Sequence, residues 1–270
     1  MHDDLVHSRG EGLRAESGRT MANQTLTPMG ELRRSSSQSP GQRHSLGYKI
    51  AWRWRTFLCW ARYALVGRRS GMPGLFDFVF GNRFFNAVQV PSELAALGEI
   101  LAEHRPERAL EIGTFQGGTL LFLTRLANPQ ATIVSMDLPG GMFGGGYGAR
   151  RRFFYRRLAG RRQKLHLLQG DSHSAEMFER AKAALGNRSL DYLFIDGDHR
   201  YEGVKRDFET YGPLVRAGGL IALHDIVEGP SDAVGGVPQF WRELKHNYRH
   251  REIIQCPRQG GFGIGVLYVD

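Results

Sequence analysis

Four aspartates stand where successive short apolar segments of the chain end. Asp137, Asp171, Asp196 and Asp225 each close a run of apolar residues that is typical of a buried strand. Parallel strands end at a common sheet edge, where open α/β sheets bind ligands, so these carboxylates should gather at one rim. A single aspartate after a strand is often only solvated. Four aspartates at the ends of four successive strands indicate a site where carboxylate oxygens accept hydrogen bonds, accept a proton or bind a cation.

A glycine loop precedes these aspartates, in the sequence Glu111-x-Gly113-x-x-x-Gly117-Gly118. Gly113 permits a sharp turn after a strand, and the glycine pair lets the backbone approach a ligand at the start of a helix. The spacing is not the G-x-G-x-x-G of a dinucleotide site. It resembles the first motif of class I S-adenosyl-L-methionine (SAM)-dependent methyltransferases, in which the acidic residue suits the positive charges of SAM. A turn that only closes a strand–helix unit is the alternative.

This resemblance implies cofactor contacts after the first three strands. Asp137 stands where an acidic residue accepts both ribose hydroxyls, although a nicotinamide-binding protein would use the same chemistry. Asp171 and Ser172 stand where adenine is contacted, and an N-cap role is the alternative for Ser172. The predicted SAM-binding residues are Glu111, Gly113, Thr114, Gly117, Asp137, Leu138, Asp171, Ser172 and Asp196.

The most informative segment contains Asp196-Gly197-Asp198-His199-x-Tyr201, then Gly218-Gly219, then His224-Asp225. In order and spacing, residues 90–269 resemble a bacterial family grouped with cephalosporin hydroxylase-like and macrocin or sugar O-methyltransferases. Related O-methyltransferases hold Mg²⁺ at the ends of strands 4 and 5, which implies metal ligands at Asp196 and Asp225. The chain departs from that pattern at His224, where relatives have a second carboxylate or an amide. Imidazole is a weak ligand of Mg²⁺ and suits Mn²⁺ or Zn²⁺ better. A divalent metal and a metal-free base therefore both stay open.

Methyl transfer to oxygen is an in-line displacement that needs a deprotonated acceptor. His199 is the predicted general base, because an ordinary histidine has a pKa of about 6.5. Asp198 and His224 are the other candidates, and a structural histidine that fixes Tyr201 is the alternative for His199. The predicted reaction is SAM-dependent O-methylation of a small molecule, such as a sugar or a glycosylated product.

The segment after the second strand is long, and its glycines between 140 and 148 predict a mobile lid. It continues into a basic and aromatic stretch. The basic residues there are Arg150, Arg151, Arg152, Arg156, Arg157, Arg161, Arg162 and Lys164. Their charge predicts an anionic acceptor, with a solvated basic helix as the alternative. A nucleic-acid site is less favoured, because no known binding module accompanies the charge.

The apolar pattern predicts a Rossmann-like, doubly wound α/β fold with a mostly parallel sheet and a C-terminal antiparallel hairpin, as in class I methyltransferases. Strands are predicted over 109–112, 132–136, 165–168, 190–195, 220–223, 252–255 and 263–269. Helices are predicted over 91–104, 119–126, 174–185, 203–215 and 239–245. Ser92 is the predicted cap of the first helix, and residues 71–81 are predicted to be a linker.

The first 90 residues divide into two parts. Residues 1–46 are polar and rich in serine and arginine, which predicts a disordered tail. Residues 47–90 are predicted to be a helical extension and linker before a methyltransferase domain at 91–270. Within the extension, residues 48–66 interleave three tryptophans with arginines. Packing on the domain is favoured there over an interfacial membrane helix.

Composition limits the class of protein. The 270 residues carry a net charge of +9, which favours acidic partners, and only two cysteines, which argues against a disulfide or zinc scaffold. The sequence shows neither signal-peptide features nor an apolar run of about 18 residues, so we expect a cytoplasmic enzyme, with contact at the inner membrane surface as the alternative. An NAD(P)-dependent oxidoreductase and a non-catalytic membrane- or RNA-associated protein with a vestigial SAM fold stay open.

Overall fold

The computed structural model describes residues 71–81, 85, 87–141 and 145–270, with the isolated positions 47, 54, 57, 58 and 61. The predicted tail at 1–46 and most of the predicted Trp/Arg helix at 48–66 lie outside the described residues, as do residues 142–144 of the predicted lid. Those interpretations therefore stay predictions. Within the described part of the chain, no helix has the length and apolar character needed to cross a membrane.

The described strands form one sheet in the order β3-β2-β1-β4-β5-β7-β6. Their bounds are β1 Arg108–Ile112, β2 Thr132–Asp137, β3 Lys164–Gln169, β4 Leu190–Ile195, β5 Val215–His224, β6 Arg249–Ile253 and β7 Ile264–Tyr268. Strands β1 to β5 pair in parallel, and β7 runs antiparallel between β5 and β6. The strand order reverses between β1 and β4, which is where such sheets bind ligands. The predicted fold class is confirmed.

Helices pack on both faces of this sheet. Their bounds are α1 Met72–Gly81, α2 Pro91–His104, α3 Gly118–Leu126, α4 Ala149–Tyr155, α5 Ala175–Ala184, α6 Tyr201–Tyr211, α7 Ser231–Val234 and α8 Val237–Leu244. Because side chains alternate along a strand, the core has two parts. Ala109 and Phe194 pack on one face with Phe122, whereas Leu110 packs on the other face with Trp241.

Two predictions near the start of the described chain were wrong. Residues 72–81 form helix α1 rather than a linker, because apolar side chains such as Leu75 and Val79 are buried in the core. Ser92 does not cap α2, because the chain enters this helix through Pro91, whose fixed backbone angle suits the first turn and whose position leaves Ser92 inside it.

A third difference concerns β5. Residues 216–219, which precede the strand predicted at 220–223, already belong to β5. This strand pairs with β4 through a register shift between Leu190 and Tyr192. The N–H of Gly218 donates to the carbonyl oxygen of Val269 at 2.7 Å. Residues near the end of the chain thus supply a hydrogen-bond acceptor for this irregular stretch. The preceding helix α6 accordingly ends at Tyr211, before the predicted end at 215.

Glu93, in the first turn of α2, is a buried carboxylate that fixes the loop between β6 and β7. Its Oε1 accepts hydrogen bonds from the N–H of Gln255 at 3.0 Å and from Nε2 of Gln259 at 2.7 Å. Its Oε2 accepts from the N–H of Gly263 at 3.0 Å. The same loop carries Phe262, which reaches the site described below.

Replacing Glu93 by alanine should lower the free energy of unfolding by about 3 kcal/mol, because three donors lose their acceptor. Calorimetric unfolding measures this change, and proteolysis within 255–263 should become faster. Glu99→Ala, at an exposed position of the same helix, is the matched control and should change stability by less than about 0.5 kcal/mol. Equal losses in the two variants would contradict this role of Glu93.

The two outer strands of the sheet carry charged side chains. At one edge, β6 exposes four consecutive residues, Arg249 to Glu252, and the guanidinium of Arg249 lies 4.0 Å from the centre of the Tyr268 ring. At the other edge, β3 begins with the exposed Lys164.

Candidate active site

A cleft of about 570 Å³ opens at the carboxyl ends of β1 to β5. This volume lies within the usual range of small-molecule sites, roughly 300–1,000 Å³. The predicted site residues that line it are Gly113, Thr114, Asp137, Leu138, Asp171, Ser172, Asp196, Asp198, His199, His224 and Asp225. The structure thus brings together all the predicted site residues except Glu111 and Gly117.

The glycine loop after β1 packs against the end of β4. Gly113 has a φ of 98°, and a Cβ at this position would collide with the main-chain oxygen of Asp196. Gly117 has a φ of 75°, and the ring of Tyr155 occupies the space that its Cβ would need. The hydroxyl of Tyr155 donates to the carbonyl oxygen of Phe115 at 3.1 Å. Packing therefore requires both glycines, and Gly117 lies outside the cleft wall.

Asp137, at the end of β2, is a buried carboxylate in the cleft wall. It accepts a hydrogen bond from the N–H of Phe115 at 3.0 Å, and others from the main chain of Leu138 and Gly146. Burial nevertheless raises the pKa of Asp137 to about 6, because the cost of desolvation outweighs these hydrogen bonds. At neutral pH the side chain is therefore a charged acceptor held in one orientation.

Glu111 lies behind the glycine loop rather than in the cleft. Side chains alternate along β1, so Glu111 and the cleft-lining Ile112 face opposite sides of the sheet. Its Oε2 accepts a hydrogen bond from Oγ of Ser135 at 3.0 Å, and Ser135 in turn contacts the hydroxyl of Thr114. Burial raises the pKa of Glu111 to about 8. This neutral carboxyl supports the loop and does not present a charge to a ligand.

Replacing Glu111 by glutamine should make stability less dependent on pH. The pKa of this carboxyl rises from 4.5 to about 8 on folding, so its contribution is complete below pH 4.5 and is lost as pH rises through 8. Glutamine stays neutral, so the variant should lack a decline on the order of 2 kcal/mol between about pH 6 and 9. Denaturant unfolding at several pH values measures the decline. Parallel curves for the two proteins would refute this role.

Three side chains converge beside the glycine loop, and we call Asp196, His199 and Asp225 the Asp–His–Asp trio. One ligand atom from each lies within 4.8 Å of the others. His199 Nε2 lies 3.5 Å from Oδ1 of Asp196, and His199 Nδ1 lies 3.2 Å from Oδ2 of Asp225. Two carboxylates and one imidazole form a donor set that can hold a divalent metal ion.

The trio contains one residue for which the sequence predicts a different role. The predicted metal ligands are Asp196 and Asp225, and His199 is predicted as a base. The structure puts His199 between the two carboxylates, with Nδ1 also 2.6 Å from the carbonyl oxygen of Ala233. Aspartate and histidine three residues apart after β4 were the available signal, although loop geometry decides whether such a pair converges.

His224 adds a second imidazole to this group. Its Nδ1 lies 3.2 Å from Oδ1 of Asp196, and its Nε2 is buried without a hydrogen-bond partner among the described residues. Burial opposes a charge on His224, but the carboxylates of Asp225 and Asp196 outweigh burial and raise the pKa well above its usual range. Conversely, burial would raise the pKa of Asp196, but the imidazoles of His224 and His199 lower it below its usual range.

Asp198, a candidate base, lines the cleft but is already paired. Its carboxylate contacts Arg200, with 2.6 Å between Oδ2 and Nη2. Burial would raise the pKa of Asp198, but the hydrogen bonds from Arg200 outweigh it and lower the pKa. Asp198 is therefore a weak base in this arrangement.

The loop after β3 presents Asp171 and Ser172 to the cleft. Oδ1 of Asp171 accepts a hydrogen bond from the N–H of His173 at 2.9 Å. The alternative of Ser172 as an N-cap is wrong, because the hydroxyl of Ser174 accepts from the N–H of Met177 at 3.2 Å and caps helix α5.

Some groups at the site could not be predicted. Gln89 donates from Nε2 to Oδ2 of Asp196 at 3.0 Å across 107 positions of sequence. The N–H of Phe262 donates to Oδ1 of Asp225 at 3.1 Å. Neither residue lies in a recognisable motif, and a main-chain donor leaves no trace in residue type, so the sequence holds no signal for these contacts.

Residues 110–226 match the protein-family model described as a methyltransferase domain. This chain carries a class I, SAM-dependent methyltransferase domain. The matched range contains the glycine loop, the four strand-end aspartates and the trio. The resemblance drawn from those motifs is confirmed, and the methyltransferase is favoured over the nicotinamide-dependent and non-catalytic alternatives.

The methyltransferase shares its fold with several solved structures. An O-methyltransferase from Bacillus cereus, in complex with S-adenosylhomocysteine (SAH), is 15% identical, with a TM-score of 0.53 over 78% of this chain and 96% of that chain. A candidate O-methyltransferase from Klebsiella pneumoniae is 21% identical, with a TM-score of 0.53 over 82% and 99%. A candidate caffeoyl-CoA O-methyltransferase from Staphylococcus aureus is 16% identical, with a TM-score of 0.50 over 79% and 98%. At these identities the similarity shows the fold.

Proposed function

We propose that this methyltransferase moves the methyl group of SAM onto an oxygen of an anionic small molecule, such as a sugar or a glycosylated product, beside a divalent cation held by the Asp–His–Asp trio. One observation carries the proposal. The trio lies in the same cleft as Asp137 and directly beside Gly113, so a cation and a cofactor would meet where β1 and β4 end.

The cofactor half of the cleft runs from the glycine loop to the end of β3. SAM supplies an electrophilic methyl group on its sulfonium. The fixed carboxylate of Asp137 would accept both ribose hydroxyls, and Asp171 would accept from the amine of adenine. Leu138, whose side chain is 45% exposed, would cover one face of the base. Gly113 and Thr114 would bound the methionine part.

The trio fits a divalent cation in its donor set and in the groups that orient it. Nδ1 of His199 is 2.6 Å from the carbonyl oxygen of Ala233, so it donates there and leaves Nε2 as the ligand atom, an arrangement that metal-binding histidines commonly use. Gln89 orients Asp196 in the same way. A bound cation would lower the pKa of an acceptor hydroxyl, whose proton would then pass to solvent water as SAM becomes SAH. The mixed set suits Mn²⁺ or Zn²⁺ at least as well as Mg²⁺.

The histidines take different parts in this proposal. Nδ1 of His224 lies 3.2 Å from Oδ1 of Asp196, so we assign His224 to orienting that carboxylate rather than to accepting a proton. We assign His199 to holding the cation, because the carbonyl oxygen of Ala233 engages Nδ1 while Nε2 faces the carboxylate of Asp196. The general-base role predicted for each of them is thus replaced in this proposal.

The segment from 149 to 164 supports an anionic acceptor. It holds eight arginine and lysine residues and no aspartate or glutamate. Nη1 of Arg151 lies 3.5 Å from the carbonyl oxygen of Gln116 in the glycine loop, so helix α4 stands next to the cleft. Guanidinium groups bind carboxylates and phosphates in a bidentate manner. Contact of residues 48–66 with a membrane surface stays a separate prediction.

Calorimetric titration with SAH, with and without Mn²⁺ or Mg²⁺, tests the proposal. We expect micromolar SAH binding to the wild-type protein, and an independent signal for one divalent cation. Methyl-labelled SAM and a panel of sugars with and without carboxylate or phosphate groups then identify the acceptor class. Absence of SAH binding in every condition would refute the proposal, and a preference for neutral acceptors would refute its anionic part.

A further inference from the structure

The loop after β3 is fastened to one face of helix α6. The hydroxyl of Tyr211 donates to the carbonyl oxygen of Ser172 at 2.8 Å, and Nη2 of Arg206 donates to the carbonyl oxygen of His173 at 2.9 Å. The imidazole of His173 reaches the same helix, with Nε2 at 3.2 Å from the carbonyl oxygen of Gly203. The loop therefore has little freedom to move relative to the cleft.

Asp207, also on α6, explains why a histidine stands in this loop. Its carboxylate is completely buried, and Oδ1 lies 3.2 Å from Nε2 of His173. A buried carboxylate without a cationic partner would be strongly destabilising. The hydrogen bond to Asp207 raises the pKa of His173 against the opposing effect of burial. Nε2 thus keeps a proton in the space between the carbonyl oxygen of Gly203 and the carboxylate of Asp207.

The other ring nitrogen of His173 lies near the carboxylate of Asp171. Nδ1 lies 3.8 Å from Oδ1 of Asp171, and both residues line the cleft. When both nitrogens of an imidazole carry protons, both are donors. The end of β3 therefore offers a donor and an acceptor side by side: Nδ1–H of His173 and the carboxylate of Asp171.

We propose that His173, which the buried carboxylate of Asp207 holds in place, makes the cofactor site specific for adenine. Nδ1 of His173 would donate to the ring nitrogen next to the amine of adenine, and Asp171 would accept from that amine. This proposal rests on the proposed function, because it requires that the cleft bind SAM. Adenine has a donor amine beside an acceptor ring nitrogen, and these two groups complement the carboxylate of Asp171 and Nδ1–H of His173.

Hypoxanthine reverses both groups, because it has a carbonyl oxygen where adenine has the amine and an N–H where adenine has the acceptor nitrogen. Its carbonyl oxygen would face the carboxylate of Asp171, and its N–H would face the N–H of His173. Inosine would thus lose both hydrogen bonds and bring like groups together at this edge, and sites built to hydrogen-bond a ligand reject an analogue that lacks those bonds. Wild-type protein should bind SAH about 100-fold more tightly than S-inosylhomocysteine.

Titration calorimetry with these two nucleosides tests the proposal. We expect the double variant His173→Leu/Asp207→Asn, which leaves no unpaired buried charge, to reduce the ratio of the two affinities below about 10-fold. Asp207→Asn alone should give an intermediate ratio. His166→Leu is the matched control: His166 lies on β3 outside the cleft wall, so the ratio should stay at the wild-type value.

The outcomes separate this proposal from the one before it. Normal SAH binding with an unchanged ratio of the two affinities in the double variant would overturn the role of His173 and leave the proposed function standing. Absence of SAH binding to the wild-type protein would overturn both proposals. Thermal unfolding of each variant with and without SAH shows whether a change in ratio comes from a folded protein.

A pH series on the wild-type protein provides a test without substitution. The charged groups that face His173 are the carboxylates of Asp207, Asp171 and Asp198 and the guanidinium of Arg206, which donates to its carbonyl oxygen. Raising pH from about 6 to about 8 should weaken SAH binding more than S-inosylhomocysteine binding, because only the adenine nucleoside needs the Nδ1 proton. Other titrating groups in the cleft act on both ligands and cancel in the ratio. A ratio independent of pH would overturn the proposal.

Discussion

Asp225→Asn is expected to lower kcat for methyl transfer by about 1,000-fold and to abolish binding of a divalent cation, while SAH affinity changes little. Asparagine has nearly the shape of aspartate, tolerates the φ of 62° found at this position, and can still accept from the N–H of Phe262. The substitution thus removes the charge of one trio carboxylate and leaves the backbone in place.

Electron paramagnetic resonance of added Mn²⁺ measures the loss of cation binding, and single-turnover methyl transfer measures the loss of activity. Asp232→Asn is the matched control, because Asp232 lines the same cleft from an exposed position outside the trio. It should keep both cation binding and turnover. Full turnover by Asp225→Asn would show that the trio is structural and that catalysis proceeds without it.

Asp137→Asn should weaken SAH binding by about 100-fold. A hydrogen bond to a charged group contributes about 1.5–3 kcal/mol, and this carboxylate would accept two from the ribose. The variant keeps an oxygen for the N–H of Phe115, so the loop should keep its conformation. Asp77→Asn, at an exposed position of helix α1, is the control and should bind SAH as the wild-type protein does.

The pKa of Asp137 adds a pH signature to this prediction. With a pKa of about 6 in the free protein, the carboxylate gains a proton as pH falls through 6, and SAH affinity should fall with it. The variant has no such group and should lose this acid limb. Calorimetric titration between about pH 5 and 8 measures both profiles, and an acid limb retained in Asp137→Asn would assign it to another group.

The sequence predicts the site best where topology determines position. Asp137, Asp171, Asp196 and Asp225 converge because parallel strands end at one edge, and this follows from strand order along the chain alone. Glu111 differs because its position within β1 decides which face it occupies. Sequence spacing to the glycines does not reveal that face, so a residue predicted to contact the ligand lies behind the loop.

Contacts across long stretches of sequence account for the remaining differences. Gln89 precedes α2 and Phe262 lies in the β6–β7 loop, and Glu93 joins that helix to that loop. Three-dimensional packing of this kind has no local pattern in the sequence. Helix α1 was predicted as a linker for the same reason. Its glycine and proline residues weaken the local helical signal, and burial of Leu75 and Val79 overrides it.

The charges on the outer strands have a consequence for behaviour at high concentration. An unpaired strand edge can serve as a template for another molecule's strand, and lysine or arginine side chains discourage such pairing. Two molecules that met through β6 would bring Arg249 and Arg251 of each copy together, and a β3 edge would bring Lys164. We therefore expect resistance to strand-mediated aggregation at low salt, with this protection declining as ions shorten the range of the repulsion.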